Sequence, residues 1–96
     1  MTGQSRSIDD ILMDRIQTIQ AIAEANTEQL RLNQKASGMM VLDMKDARDG
    51  VTESDHEGAQ MRNDAALEEN REKITRLDAQ LAQLDRELEA ATKEQG

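Results

Sequence analysis

At 96 residues, with no Cys, Pro, Phe, Tyr or Trp, the chain has room for one domain and no aromatic side chains to fill its core. Its 20 acidic residues outweigh 12 basic ones, for a net charge of −8, and residues 49–96 hold 13 of the acidic and 6 of the basic. An acidic half that repels phosphates, no basic stripe and no stacking platform argue against nucleic-acid binding, and the longest apolar run, Met39–Leu42, is too short for membrane insertion.

Residues 1–6 carry neither a helical pattern nor the apolar stretch of a signal peptide, and they are expected to be disordered. A first helix is predicted over 7–49. Ser7 can cap its free N–H groups, and Asp9 and Asp10 oppose the positive end of its dipole. Ile8, Ile11, Leu12, Ile16, Ile19, Ile22 and Ala23 then recur with helical period. With Leu12 at heptad position d, a seam runs on through Ile16, Ile19, Ala23, Asn26, Leu30, Asn33, Ser37, Met40, Met44, Ala47 and Val51. Within it, Ala23-Glu24-Ala25-Asn26-Thr27, followed by Leu30 and Asn33, resembles the asparagine-at-d motif of trimeric coiled-coil stalks. That resemblance implies inward amides holding an anion on a three-fold axis.

Gly38, Gly50 and Gly58 each weaken a helix, and Asp49-Gly50-Val51-Thr52 is the expected stop, with a turn at 50–52. A second helix is predicted over 53–93, with Thr52 or Ser54 as its cap, and residues 94–96 are expected to fray. Its seam is the clearest pattern in the chain. Leu67, Asn70, Ile74, Leu77, Leu81, Leu84, Leu88 and Ala91 alternate steps of three and four, reading a, d, a, d. A stripe that narrow must be covered by another helix.

Two arrangements meet this need. In a helical hairpin turning at Gly50, residues whose numbers sum to 100 face one another: Ile16 meets Leu84, Ile19 meets Leu81, Ala23 meets Leu77, Asn26 meets Ile74, Leu30 meets Asn70 and Asn33 meets Leu67. Each Asn then faces an aliphatic side chain, and an unpaired buried amide costs about 1–3 kcal/mol. In a parallel extended coiled coil, each Asn meets its own copy and fixes register. The all-α hairpin of two long coiled-coil helices, completed by oligomerisation, is the expected fold, since two nearly equal arms flank a turn-forming glycine.

Little in the chain points to catalysis. Asp43, Asp46, Asp49, Glu53, Asp55 and Glu57 surround Gly50 without the alternate-residue ligand order of an EF-hand, and read as a solvated helix face and turn. His56, the one histidine, has no Cys or second His to work with and reads as an exposed residue early in the second helix. Met39, Met40, Met44 and Met61 are expected to fill gaps where the helices splay near the turn, or to form a sticky tip. Glu69–Lys73 and Glu72–Arg76 have the i, i+4 spacing of a solvated face. No metal, cofactor or enzymatic activity is expected.

The expected role is structural or scaffolding, by homo-oligomeric association of helices. Its seam is Ile16, Ile19, Leu30, Leu67, Ile74, Leu77, Leu81, Leu84 and Leu88, with Asn26, Asn33 and Asn70 setting register. The alternative is a small acidic adaptor, or a secretion-chaperone-like subunit, that packs its helices on a different helical protein. The expected location is cytoplasmic or within a protein assembly.

Overall fold

The chain begins its first helix where a serine can satisfy it. In the computed structural model, which describes residues 6–50 and 55–95, Ser7 holds an extended backbone and its Oγ accepts from the Asp10 N–H at 3.1 Å. Its carbonyl accepts from Ile11 N–H, also at 3.1 Å, as the first bond of the helix, so the side chain pairs one of the donors that every helix start leaves free. Helix α1 runs Ile8–Asp49 and stops at Gly50, whose φ of 77° lies in the left-handed region that a side chain disfavours. The Gly50 N–H turns back to the carbonyls of Asp46 and Ala47. Helix α2 runs Asp55–Gln95. Gly38 and Gly58, read above as further places to break, lie inside α1 and α2.

The two helices pack antiparallel as a hairpin, an all-α rod of 71 × 19 × 13 Å. A helix of α1's length spans about 63 Å at 1.5 Å per residue, so the molecule is folded once and the extended single-helix alternative is excluded. Of residues 1–6, expected to be disordered, Arg6 is described and ion-paired, whereas 1–5, the cap at Thr52 or Ser54, the seam position Val51 and the carboxylate of Glu53 lie outside the described residues. So do the side chains of Asp49, Asp55, His56 and Gln95.

The interface is driest at its open end. Ile11, Leu84 and Ala91 are buried together there, with Ile8 and Leu88 packed against them. Farther along, the buried residues are Thr18, Ala25 and Leu32 from α1 and Leu67, Asn63 and Asn70 from α2. Ile22 and Ala36 of α1, and Ile74, Leu77 and Leu81 of α2, are half-buried. Arg15 pairs with Asp85 at 2.7 Å, and Arg6 reaches Glu87 at 2.7 Å while also pairing with Asp14, so charge closes the edges of the open end.

The facing pairs differ from those expected. Leu84 packs against Ile11 and not Ile16; Asn70 lies against Ala25 and Gln29 and not Leu30; Asn63 lies against Leu32. The inner stripe of α1 is Ile11, Arg15, Thr18, Ile22, Ala25, Gln29, Leu32, Ala36 and Met39, one residue before the predicted seam at every layer. A step of one residue turns the helix by about 100°. Ile16, Ile19, Ala23, Asn26, Leu30 and Asn33, expected to face α2, are all exposed.

The reason is polar matching. Asn70 Nδ2 donates to the Ala25 carbonyl and to Gln29 Oε1, both at 2.9 Å, and the small Ala25 side chain leaves that carbonyl within reach. Gln80 Nε2 donates to Thr18 Oγ1 at 3.2 Å, and Gln60 donates to Asp43. Turning α1 by one residue would set Leu30 against the Asn70 amide and strand it, at about 1–3 kcal/mol.

Candidate interaction surface

Helix α1 thus carries two stripes of heptad spacing. The inner one is used by the hairpin. The outer one is the predicted seam, and it is turned largely to solvent: Leu12, Ile16, Ile19 and Leu30 are 38, 51, 46 and 58% exposed, and Met40 and Met44 are 62 and 67%. Met13 and Val41 widen it on its solvent side. Large aliphatic side chains therefore line up along α1 with no cover, in a chain that is one-third charged. An exposed apolar strip of this length, interrupted by Asn26, Asn33 and Ser37, is a candidate interaction surface.

The predicted seam residues divide by helix. Leu67 and Leu84 are buried, and Ile74, Leu77, Leu81 and Leu88 half-buried, all within the hairpin. Ile16, Ile19 and Leu30 face outward. The three register-setting asparagines divide the same way: Asn70 is buried and hydrogen-bonded across the interface, whereas Asn26 and Asn33 sit exposed on the outer stripe. The fold does not bring the two groups together.

Asn63 was not singled out from the sequence, yet it is 4% exposed. Its Nδ2 donates to the Leu32 carbonyl at 3.1 Å, and its Oδ1 is buried with no hydrogen-bond partner among the described residues. Its position four before Leu67 continues the α2 seam backward, which is the signal that reveals it. Thr18 and Gln29 were also missed. Their signal is complementary polarity, since Asn70 in one seam calls for an acceptor in the other.

Near the turn, two readings need correction. Asp43 and Asp46 are half-buried on the α2-facing side, not on a solvated face. Among the described residues no three acidic or histidine side chains converge as a metal set. The methionines divide: Met39 is half-buried between the helices, while Met40, Met44 and Met61 are exposed and fill no gap.

The outer face of α2 is of another kind. Arg71 pairs with Glu68 at 3.4 Å and Lys93 with Glu89 at 3.1 Å, and Arg86 donates to Gln83. On α1, Arg31 donates twice to Glu28, at 2.6 and 2.9 Å. This bond, and more weakly the charges of Arg31 and Lys73, hold the Glu28 carboxyl below the usual glutamate range. Beside it, a recess of about 300 Å³ opens between the helices, lined by Glu28, Leu32, Glu69, Asn70, Lys73 and Arg76 among others. It is shallow, and its acidic and basic walls balance. Among the described residues no helix is long and apolar enough to cross a membrane.

No family model, curated protein or solved structure matches this chain.

Proposed function

We propose that the protein is a non-enzymatic coiled-coil structural or scaffolding protein that acts by homo-oligomeric association of its helices. One observation carries this reading. Helix α1 bears two heptad stripes about 100° apart, and the hairpin covers the poorer of them. The inner stripe includes Arg15, Thr18 and Gln29, while the outer one offers Leu12, Ile16, Ile19 and Leu30 to solvent.

Full burial of one such side chain contributes about 1.5–3 kcal/mol, so covering several half-exposed ones is worth several kcal/mol per copy. That is of the same order as the about 4–15 kcal/mol cost of bringing two molecules together. The recess beside Glu28 is shallow and its charges balance, which suits an interaction surface better than a water-excluding catalytic site.

The test is absolute mass in solution by size-exclusion chromatography with light scattering, over a range of concentrations. Refractive index must serve as the detector, because the chain lacks Trp and Tyr. A mass that is a multiple of 10.7 kDa supports the scaffold. A helical 10.7 kDa monomer at every concentration overturns it and leaves the surface to a different helical protein, as an adaptor would use it.

A further inference from the structure

We propose that two copies join through the outer stripe of α1 alone, α1 against α1, parallel and in register, with Asn26 and Asn33 forming amide layers across the two-fold axis. This rests on the scaffold reading above and adds the face, the partner and the direction.

Charge selects the kind of partner. From Leu12 to Met44, neither the a and d positions of the stripe nor the solvent-side e positions Met13, Gln20, Thr27, Gln34 and Val41 carry a charge. Up to Met44 an acidic or basic partner finds no charge on the stripe itself, and Lys45 and Arg48 stand only at its turn end, beside Val41 and Met44. A second copy brings an equally uncharged stripe, so no charge is buried on either side.

Asn26 and Asn33 then select the second copy and its direction. Both occupy d positions. Parallel helices in register set d against d, so each amide meets its own twin and can donate and accept across the axis. Antiparallel helices set d against a instead. The a residues are Ile16, Ala23, Leu30, Ser37 and Met44, and only Ser37 is polar. Any antiparallel register therefore leaves at least one Asn without a polar partner from the opposing a positions. In the parallel pair the same rule sets Ile16, Ile19 and Leu30 each on its own copy, apolar on apolar.

Size and geometry agree. The stripe is about 48 Å long at 1.5 Å per residue. Eight side chains on it, Met13 and Val41 included, are 38–67% exposed and present on the order of 800 Å², one side of a standard interface. Because α2 sits about 100° away around α1, it flanks the new contact without blocking it. Both Gly50 turns then lie at one end of the pair.

The experiment uses the full chain, whose lack of Cys makes single introduced thiols unambiguous. Ala23→Cys and Ser37→Cys are made separately. Both sites are exposed a positions, and helicity by circular dichroism checks that each variant folds. In a parallel pair each thiol lies opposite its own copy. No single antiparallel register can achieve that at both sites, because the opposed residue numbers would have to sum to two different values.

The expected result is a mass near twice 10.7 kDa, with disulfide-linked dimer from each variant under mild oxidation and none from Glu68→Cys on the outer face of α2. A dimer in which only one or neither of the two sites cross-links overturns this geometry and leaves self-association standing. A mass of three or more chains overturns the pair and likewise leaves the scaffold. A monomer at all concentrations overturns both.

Discussion

Helices α1 and α2 are of nearly equal length, 42 and 41 residues, but they use their apolar residues in opposite ways. Helix α2 turns its leucines inward, with Leu67 and Leu84 buried and Ile74, Leu77, Leu81 and Leu88 half-buried, and covers its outer face with Glu68, Arg71, Arg86 and Glu89. Helix α1 turns a mixed stripe inward and leaves its best aliphatic residues outside. The difference shows that the richest stripe of a helix need not face its own hairpin partner. Where the partner seam contains Asn63 and Asn70, hydrogen-bond complementarity offsets a gain in apolar area, because a stranded amide costs about as much as a half-buried leucine contributes.

The sharpest way to break this comparison is to place the same charge in each stripe. Leu84→Asp puts a carboxylate into the apolar cluster of Ile11, Ala91, Ile8 and Leu88, and should cost about 3–5 kcal/mol and most of the helicity. Leu30→Asp, at a site 58% exposed, should keep the helical signal and thermal midpoint of the hairpin within about 0.5 kcal/mol. It should nevertheless reduce the mass in solution to that of one chain. Circular dichroism melts beside light scattering would show the two effects, and a reversal, with Leu30→Asp melting the hairpin, would mean the stripes are misassigned.

The two buried asparagines sharpen the comparison from inside. Asn70→Ala removes two hydrogen bonds across the interface and leaves the half-buried Gln29 unpaired, so urea unfolding should show a loss of about 1–2 kcal/mol. Asn63→Leu should act in the opposite direction. It removes a buried Oδ1 with no partner and extends the apolar seam next to Leu67, raising stability by about 1 kcal/mol. Equal losses from both substitutions would mean that satisfaction of the amide does not distinguish these positions.

The smallest expected effect concerns pH. Arg31 holds the Glu28 carboxyl below its ordinary value, so the folded state binds that proton less readily than the unfolded chain does. The stabilisation is complete above the ordinary glutamate pKa and disappears as pH falls through the lower folded value. Glu28→Gln should therefore melt slightly below the parent at neutral pH and match it in strong acid. Because the pair is largely open to solvent, the difference is small, and a gap that widens in acid would contradict the assignment.

Much of the fold was legible in the residues. The unbroken Leu67–Ala91 spacing, the Ser7 start and the Gly50 stop follow from local chemistry that packing only reinforces. The facing side of α1 was not legible from apolar count. Two overlapping stripes one residue apart both have heptad spacing, and the better-looking one is not the one buried by α2. Periodicity measures where apolar residues recur, whereas Ala25 and Gln29 meet the buried Asn70 amide and Thr18 accepts from Gln80. Ile16, Ile19 and Leu30 stand out in the sequence as heptad positions of α1, and in the structure they lie exposed on its outer stripe. Its place on the molecule required the structure.

The uncharged outer stripe has a last consequence, for the response to ionic strength. Contacts closed by interhelical ion pairs loosen as salt is added, because screening removes an attraction. Here the stripe has no attraction of that kind to lose, and the charge that two copies feel is the mutual repulsion of two chains at −8 each. Screening acts on that repulsion alone. Association measured from low salt to about 0.15 M, where the Debye length is about 8 Å, should therefore tighten, opposite to the behaviour of charge-paired helices.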